Sequence, residues 1–335
     1  DSIDKLLAKD YQNVVVMLFD ALGDYNLEIA KEYSKTLLAH KIDVIDSVFP
    51  PTTTAATTTF ESGLTPATHN WLGWSLYFKQ EDSNVNIFVN TNDQDESPFD
   101  KNIVNTYLPY KNVVDQINEV NKVRADSVSI FGSIKANTFD DIINIVKTLC
   151  MDNKRRYIYT YYYEPDHTMH HHGVKSDRTF KKIKEINDKV EQLTNNLKDT
   201  LVIVLADHGH IDGVPVLLDD YPDFKDTLLR LPSIEPRANS MFIKKGREEE
   251  FEYLFNKYFS EDFILLTHQQ VLDEQLFGEE IGDTDLKKFI GDYLMISTTN
   301  KTLFSNKAKA EAMVGVHAGL TNEELKIPLI VFECK

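Results

Sequence analysis

LVIVLADHGH (201–210) is an unbroken apolar run closed by an aspartate and two histidines. An apolar run of this length reads as a strand buried in the protein interior. VVVMLF (14–19), closed by Asp20, repeats the pattern near the start of the chain. Further strand candidates are 86–89 (NIFV), 127–131 (SVSIF), 157–163 (YIYTYYY) and 328–332 (PLIVF). Helical patterns lie between several of them, at about 111–120, 137–149 and 175–198. Residues 26–39 place Ile29, Ala30, Tyr33, Leu37 and Leu38 on one helical face. This alternation predicts an α/β fold: a mostly parallel central sheet with helices on both faces. After Pro232 the pattern changes. NSMFIKK (239–245), a charged helix at 247–259, FILLT (263–267) and a helix near 268–276 make a compact βαβα unit. The expected division is a core of residues 1–232 and 291–335 with a small inserted α+β cap of residues 233–290. YLMIST (293–298) is expected to return the chain to the core.

The 335 residues are 42% hydrophobic and 27% charged, which suits a globular protein with a sizeable core. Net charge is −17, from 36 basic and 53 acidic side chains. A field of that sign repels phosphate backbones and anionic lipid, so neither nucleic acid nor a membrane is an expected partner. An anionic substrate would need local positive charge, and bound metal supplies it. Cys150 and Cys334 are too few for a disulfide framework and lack zinc-ligand spacing. Two free thiols in a reducing compartment are the plainer reading, one long-range disulfide the other. No stretch reaches the about 18 consecutive apolar residues of a membrane span. DSIDKLLAKD (1–10) lacks the regions of a signal peptide, so a cytoplasmic location is expected. Nothing in the sequence sets the oligomeric state.

The chemistry sits after the strands. Asp20 closes the first, and Asp207 and His208 close LVIVLA. Asp166 follows YIYTYYYEP, with His170 four residues on, and His317 lies in GVHAGL just before the last strand. Open α/β sheets carry their sites beyond the carboxyl ends of the strands. Three Asp and three His are a ligand set that suits Zn²⁺. Each residue alone has a plainer reading. An aspartate at a strand end is commonly a helix cap or turn former, and His170, His171 and His172 read equally well as a surface run. Six such residues, all at strand ends, favour a metal centre. In SVFPPTTTAATTTFESGLTP (47–66) a threonine caps a short helix that ends before Gly63. A hydroxyl there meets free N–H groups and the positive end of the dipole, which favours phosphate. The same segment also reads as a threonine-rich cap without chemistry.

Together these segments resemble the alkaline phosphatase superfamily, and within it the type I phosphodiesterase/nucleotide pyrophosphatase branch. LFDALG (18–23) is similar to the family's first-strand aspartate segment, and FPPTTTAATTTFESGLTPATH (49–69) to its FPxxT…TGLxPxxHG. EPDHTMHHHG (164–173) resembles EPDxxGHxxG, ADHGH (206–210) resembles SDHGM, and GVHAGLTNEEL (315–325) resembles GxHGGxxxEE. The resemblance implies two divalent metal ions, zinc or else manganese. It implies that Asp166, His170 and His317 hold one, and that Asp20, Asp207, His208 and the Thr53 oxygen hold the other. His167, His171, His172 and His210 are then neighbours. Counting back from Gly63 puts the family's nucleophile on Thr53. The implied reaction is hydrolysis of a small-molecule phosphate ester, a phosphodiester or nucleotide pyrophosphate, through a phosphothreonine.

Three departures stand out. The Asn that the vertebrate-type diesterases carry three residues after the threonine is Ala56 here, and the family's Gly before His170 is Met169. Asn70 replaces the Gly after His69 and is followed by WLGW. With Asn70 as a substrate contact, Trp71, Trp74, Tyr77 and Phe78 form an aromatic slot for a flat group; otherwise they pack in the core. A phosphomonoesterase or phosphonate hydrolase on the same residues is the alternative. A sulfatase is disfavoured by the absence of a Cys-x-Pro-x-Arg segment. A metal-binding, non-catalytic homologue would show lost ligands, and none is lost.

Overall fold

The computed structural model describes residues 2–152, 154–282 and 285–335. Seven strands form the central sheet. Their order is Lys41–Asp46, Lys326–Cys334, Thr200–Ala206, Asn13–Phe19, Arg156–Tyr162, Arg124–Ser129 and Ile134–Lys135. The last five in this order run parallel, and Lys326–Cys334 runs antiparallel to both its neighbours.

Both faces of this sheet are covered, which is why its strands read as continuous apolar runs. Val15, Met17 and Phe19 pack on one side against Phe139 and Ile142 of the helix Phe139–Cys150. Ile183, Ile186, Val190 and Leu193 join the same cluster from the helix Asp177–Thr194. Their spacing of three and four residues is one helical stripe, and each such side chain contributes roughly 1.5–3 kcal/mol on full burial. The alternate residues Val14, Val16 and Leu18 pack on the opposite face with Leu201, Ile203 and Phe60. Register then positions the site. Phe19 pairs with both Tyr162 and Ala206, so three neighbouring strands end level and the residues after them leave from one edge.

A second sheet is antiparallel throughout, in the order Phe263–Thr267, Tyr293–Ser297, Ala238–Met241, Ser233–Glu235, Ser75–Phe78, Ser83–Asn86 and Thr91–Asn92. The stretch 233–290 supplies three of these strands; its residues 283 and 284 lie outside the described residues. The layer also draws on 75–92 and on Tyr293–Ser297. The latter does not lead back into the core sheet but pairs with Ala238–Met241 and Phe263–Thr267. Every residue of it is buried, so its hydrophobicity does not say which sheet it joins. NIFV is likewise not a core strand: the strand there is Ser83–Asn86.

The expected helix over 26–39 is two, Asp24–Ile29 and Lys35–Ala39. The buried Ser34 hydroxyl donates to the carbonyls of Leu27 and Ala30 and so competes with continued helix. Lys41–Asp46 escaped the hydrophobic pattern because it is an exposed edge strand. Both cysteines are free. Among the described residues no helix is long and apolar enough to cross a membrane.

One buried ion pair links the layers. Arg237, at the turn before Ala238–Met241, donates from Nε and Nη2 to the two oxygens of Glu324 at 2.7 and 2.8 Å. Its remaining N–H groups reach the carbonyls of Thr299 and Lys301 and the Thr302 hydroxyl. Glu324 also accepts from the Gly319 N–H and the Thr321 hydroxyl. Arg237→Ala leaves that carboxylate buried and unpaired. It is expected to cost about 3–5 kcal/mol of unfolding free energy, measured by urea denaturation; a loss under about 1 kcal/mol would refute the tie.

Candidate active site

Asp20 and Asp207 step off adjacent strands, and Asp166 opens the short helix Asp166–His172 after the third. His170 sits one turn along that helix, so it shares a face with Asp166. All six Asp and His ligand candidates converge. His208 Nε2 is 3.3 Å from Asp20 Oδ1 and 3.6 Å from Asp207 Oδ2. His170 Nε2 is 3.2 Å from Asp166 Oδ2, and His317 Nε2 is 3.9 Å from Asp166 Oδ1. The His208 and His317 rings stack with centroids 3.9 Å apart, joining the two halves.

The three consecutive threonines separate cleanly. Thr52 is the N-cap of the helix Thr53–Ser62, one residue earlier than Thr53. Its hydroxyl donates to Glu235 Oε1 at 2.6 Å. Thr54 is fully buried and its hydroxyl has no partner among the described residues. Only the Thr53 Oγ1 faces the cluster, 3.3 and 3.4 Å from the Asp20 oxygens and 3.2 Å from His208 Nε2.

The imidazoles are oriented by the backbone. Nδ1 of His170 meets the Gly315 carbonyl at 2.8 Å, that of His208 the Gly209 carbonyl at 3.0 Å, and that of His317 the Pro51 carbonyl at 3.2 Å. A proton on Nδ1 in each case leaves the Nε2 lone pair for the cluster, the arrangement of metal-ligating histidines. Asp207 Oδ1 accepts from the Ala21 and His208 N–H groups. That leaves Asp207 Oδ2, like Asp166 Oδ1, buried without a hydrogen bond among the described residues.

Charge is the dominant stress here. Burial and the Asp166 charge push the Asp20 carboxyl well up, and burial and the Asp20 charge do the same to Asp207. Burial also works against Asp166, but His170 and His210 overcome it and hold that carboxyl well below its usual range. His170 is pushed up to about 9, Asp166 outweighing burial, while burial and the His208 charge push His317 well down. Among the described residues, three ligand groups have donor atoms all within 4.8 Å of one another: Asp166–His170–His210, Asp166–His208–His317 and Asp20–Asp207–His208. Crowded buried carboxylates, orphaned oxygens and free Nε2 atoms fit divalent cations, which would relieve the repulsion.

Three residues escaped the sequence reading as members of the site. His210, set aside there as a neighbour, brings Nδ1 to 3.1 Å from Asp166 Oδ1 without hydrogen-bond alignment. Its backbone is held on both sides by the Asn26 amide. Tyr161 donates its hydroxyl to Asp20 Oδ2 from inside the strand YIYTYYY. Glu235 comes from the second sheet. Only the alternation of that strand could have hinted at Tyr161, and nothing local marks Glu235.

A cavity of about 630 Å³ opens over the cluster. Thr53, Asp166, His170 and His317 line it from the core, Trp74 and Glu235 from the second sheet. Two expected substrate contacts lie elsewhere. Trp71 is buried, packs on Tyr110 and Phe88, and donates Nε1 to the Leu108 carbonyl. Asn70 is a buried left-handed C-cap with φ 61°, bound to the Thr68 carbonyl. The chain is pinned between Trp71 and Trp74, where a Cβ on Gly73 would meet the Ile234 carbonyl oxygen at 2.6 Å. Of the two tryptophans, only Trp74 reaches the cavity.

The family model described as type I phosphodiesterase / nucleotide pyrophosphatase matches residues 14–318. The chain belongs to this family. It is an alkaline phosphatase-superfamily protein and a phosphoric ester hydrolase. Its fold is similar to that of murine ectonucleotide pyrophosphatase / phosphodiesterase 5, with a TM-score of 0.71 and 13% identity over 96% of this chain and 88% of that one. An inactive variant of the same murine protein, in complex with AMP, gives 0.73 and 13% over 97% and 88%. The human counterpart gives 0.71 and 14% over 96% and 87%. Comparison with curated protein sequences gives no match.

The strain on the carboxylates has a pH signature in this phosphodiesterase-family chain. A carboxyl whose pKa is raised by folding keeps its proton longer in the folded state, so it lowers stability as pH rises above the unfolded value. In chelator-treated protein, Asp207→Asn is expected to flatten the fall of Tm with rising pH, since the amide oxygen still accepts from Ala21 and His208. Thermal denaturation across the acid-to-neutral range measures it. An unchanged slope would show that Asp207 is not strained.

Proposed function

We propose that this chain hydrolyses phosphodiesters, nucleotide pyrophosphates among them, through a covalent phosphothreonine on Thr53, with two zinc ions at the site. The observation that carries this reading is the position of the Thr53 hydroxyl. It lies at the first turn of a ten-residue helix and within 3.4 Å of Asp20 and His208. Asp166, His170 and His317 would hold one metal; Asp20, Asp207, His208 and the Thr53 oxygen would hold the other. When bound, the metals would supply positive charge to the phosphoryl oxygens and the leaving oxygen.

The chain's own groups do the rest. Asp20, within 3.4 Å of the Thr53 hydroxyl, takes up its proton as the oxygen attacks. Thr53 Oγ1 attacks phosphorus in line, the bond from phosphorus to the leaving oxygen breaks, and that oxygen departs with the electron pair. The free N–H groups of the helix N-terminus meet the phosphoryl oxygens. Water then cleaves the phosphothreonine and restores the hydroxyl. The complex of the murine relative with AMP supports a nucleotide as one product. Residues 233–290 supply three strands of the layer over the cavity, and substrate choice resides in that layer.

Thr53→Ala is expected to stay folded and to lose several orders of magnitude of turnover on bis(p-nitrophenyl) phosphate, with Thr53→Ser retaining part of it. Thr52→Ala and Thr54→Ala should cost far less. Wild-type protein quenched during turnover should carry one phosphoryl group on the peptide containing Thr53, read by mass spectrometry. Normal turnover by Thr53→Ala would overturn the covalent route.

Metal removal tests the other half. The purified protein should hold about two zinc ions, chelation should abolish turnover, and zinc should restore it better than magnesium. Full activity after exhaustive chelation would overturn the two-metal reading.

A further inference from the structure

Glu235 is a carboxylate in an unusual place. It ends the strand Ser233–Glu235 in the second sheet and is almost wholly buried, yet it lines the same cavity as Thr53, Asp166 and His317. One of its oxygens is fully used: Oε1 accepts the Thr52 hydroxyl at 2.6 Å and the Trp74 N–H at 2.7 Å. Oε2 takes part in none of the hydrogen bonds among the described residues, and it is not sealed in the interior. It is therefore an acceptor open to the cavity, one residue away from the nucleophile along the chain through Thr52.

Neither the guanidinium nor the ammonium group of the cavity wall serves it. Arg237 spends its N–H groups on Glu324, on the carbonyls of Thr299 and Lys301 and on the Thr302 hydroxyl. Lys309 donates to Asp93 at 2.6 Å. Burial, opposed only in part by the Thr52 and Trp74 hydrogen bonds and by the charges of His208 and His170, pushes the Glu235 carboxyl up to about 7. An open acceptor in a poorly solvated wall is completed by a donor from the ligand, and a site built for a donor discriminates against ligands that lack one.

We propose that Glu235 is a specificity subsite that selects phosphate esters whose organic substituent carries a hydrogen-bond donor, a hydroxyl or an ammonium group, close to the phosphorus. This rests on the phosphodiesterase reading above. Trp74, partly exposed beside it, offers the flat face along which the substituent's carbon chain lies. The two Glu235 bonds to Thr52 and Trp74 hold the acceptor at a fixed distance from the nucleophile helix.

The test compares kcat/KM for the aminopropyl, hydroxypropyl and butyl esters of p-nitrophenyl phosphate, in the wild type and in Glu235→Gln. The glutamine keeps an oxygen for Thr52 and the Trp74 N–H and turns an N–H toward the cavity. The wild type should prefer the two donor-bearing esters over the butyl ester by at least about tenfold. Glu235→Gln, with unchanged Tm, should erase that preference. An aminopropyl rate above the hydroxypropyl rate marks an ammonium as the favoured donor, and equal rates mark any donor; both support the subsite. The same ester preference in wild type and variant would overturn the proposal and leave Glu235 as a positioning residue for Thr52. No turnover of any of the three esters by the metal-loaded wild type would overturn the phosphodiesterase reading itself.

Discussion

Three carboxylates, Asp20, Asp166 and Asp207, are forced into one buried site by the level ends of three parallel strands. Much of the surrounding structure answers that repulsion. Tyr161 and Thr53 donate to Asp20, the Ala21 and His208 N–H groups donate to Asp207, and His170 pairs with Asp166. The protein alone does not neutralise the cluster, since two of the carboxyls are driven toward their protonated forms. Such a site suits cations, and the Nε2 atoms of three histidines turned into the cluster point the same way.

The second sheet turns this charged edge into an enclosed site. It does not stand apart as an appendage, because its strands come from both sides of the 233–290 stretch in sequence, from 75–92 before it and Tyr293–Ser297 after it. Arg237 and Glu324 tie it to the core, and Glu235 ties it to the N-cap of the nucleophile helix. The layer that shapes the cavity therefore also holds the helix that delivers Thr53.

Legibility followed the range of the interactions. The core strands could be read because burial on both faces leaves unbroken apolar runs, and the ligand candidates could be read because each follows such a run. Thr53 stood out only by its spacing to Gly63, and its neighbours are told apart only by what they face: Glu235 for Thr52, the interior for Thr54. YLMIS was assigned to the wrong sheet because an apolar strand does not name its partner. Trp71 was taken for a contact because WLGW shows two aromatics but not the backbone contact at Gly73 that sends them apart. Glu235 and His210 depend on contacts between segments distant in the chain, and no local pattern encodes those.

Two of the carbonyls that orient the histidines come from far along the chain. The Gly315 carbonyl that sets His170 is 145 residues away, and the Pro51 carbonyl that sets His317 is 266 residues away. No fragment of the chain, however well its own helices and strands form, can assemble the imidazole geometry by itself. Capture of a cation by these groups would thereby be an event of late assembly, reserved for molecules whose ends have already met. A nascent or nicked chain would present its aspartates and histidines only as scattered, weak chelators, so tight metal loading would distinguish finished molecules from unfinished ones.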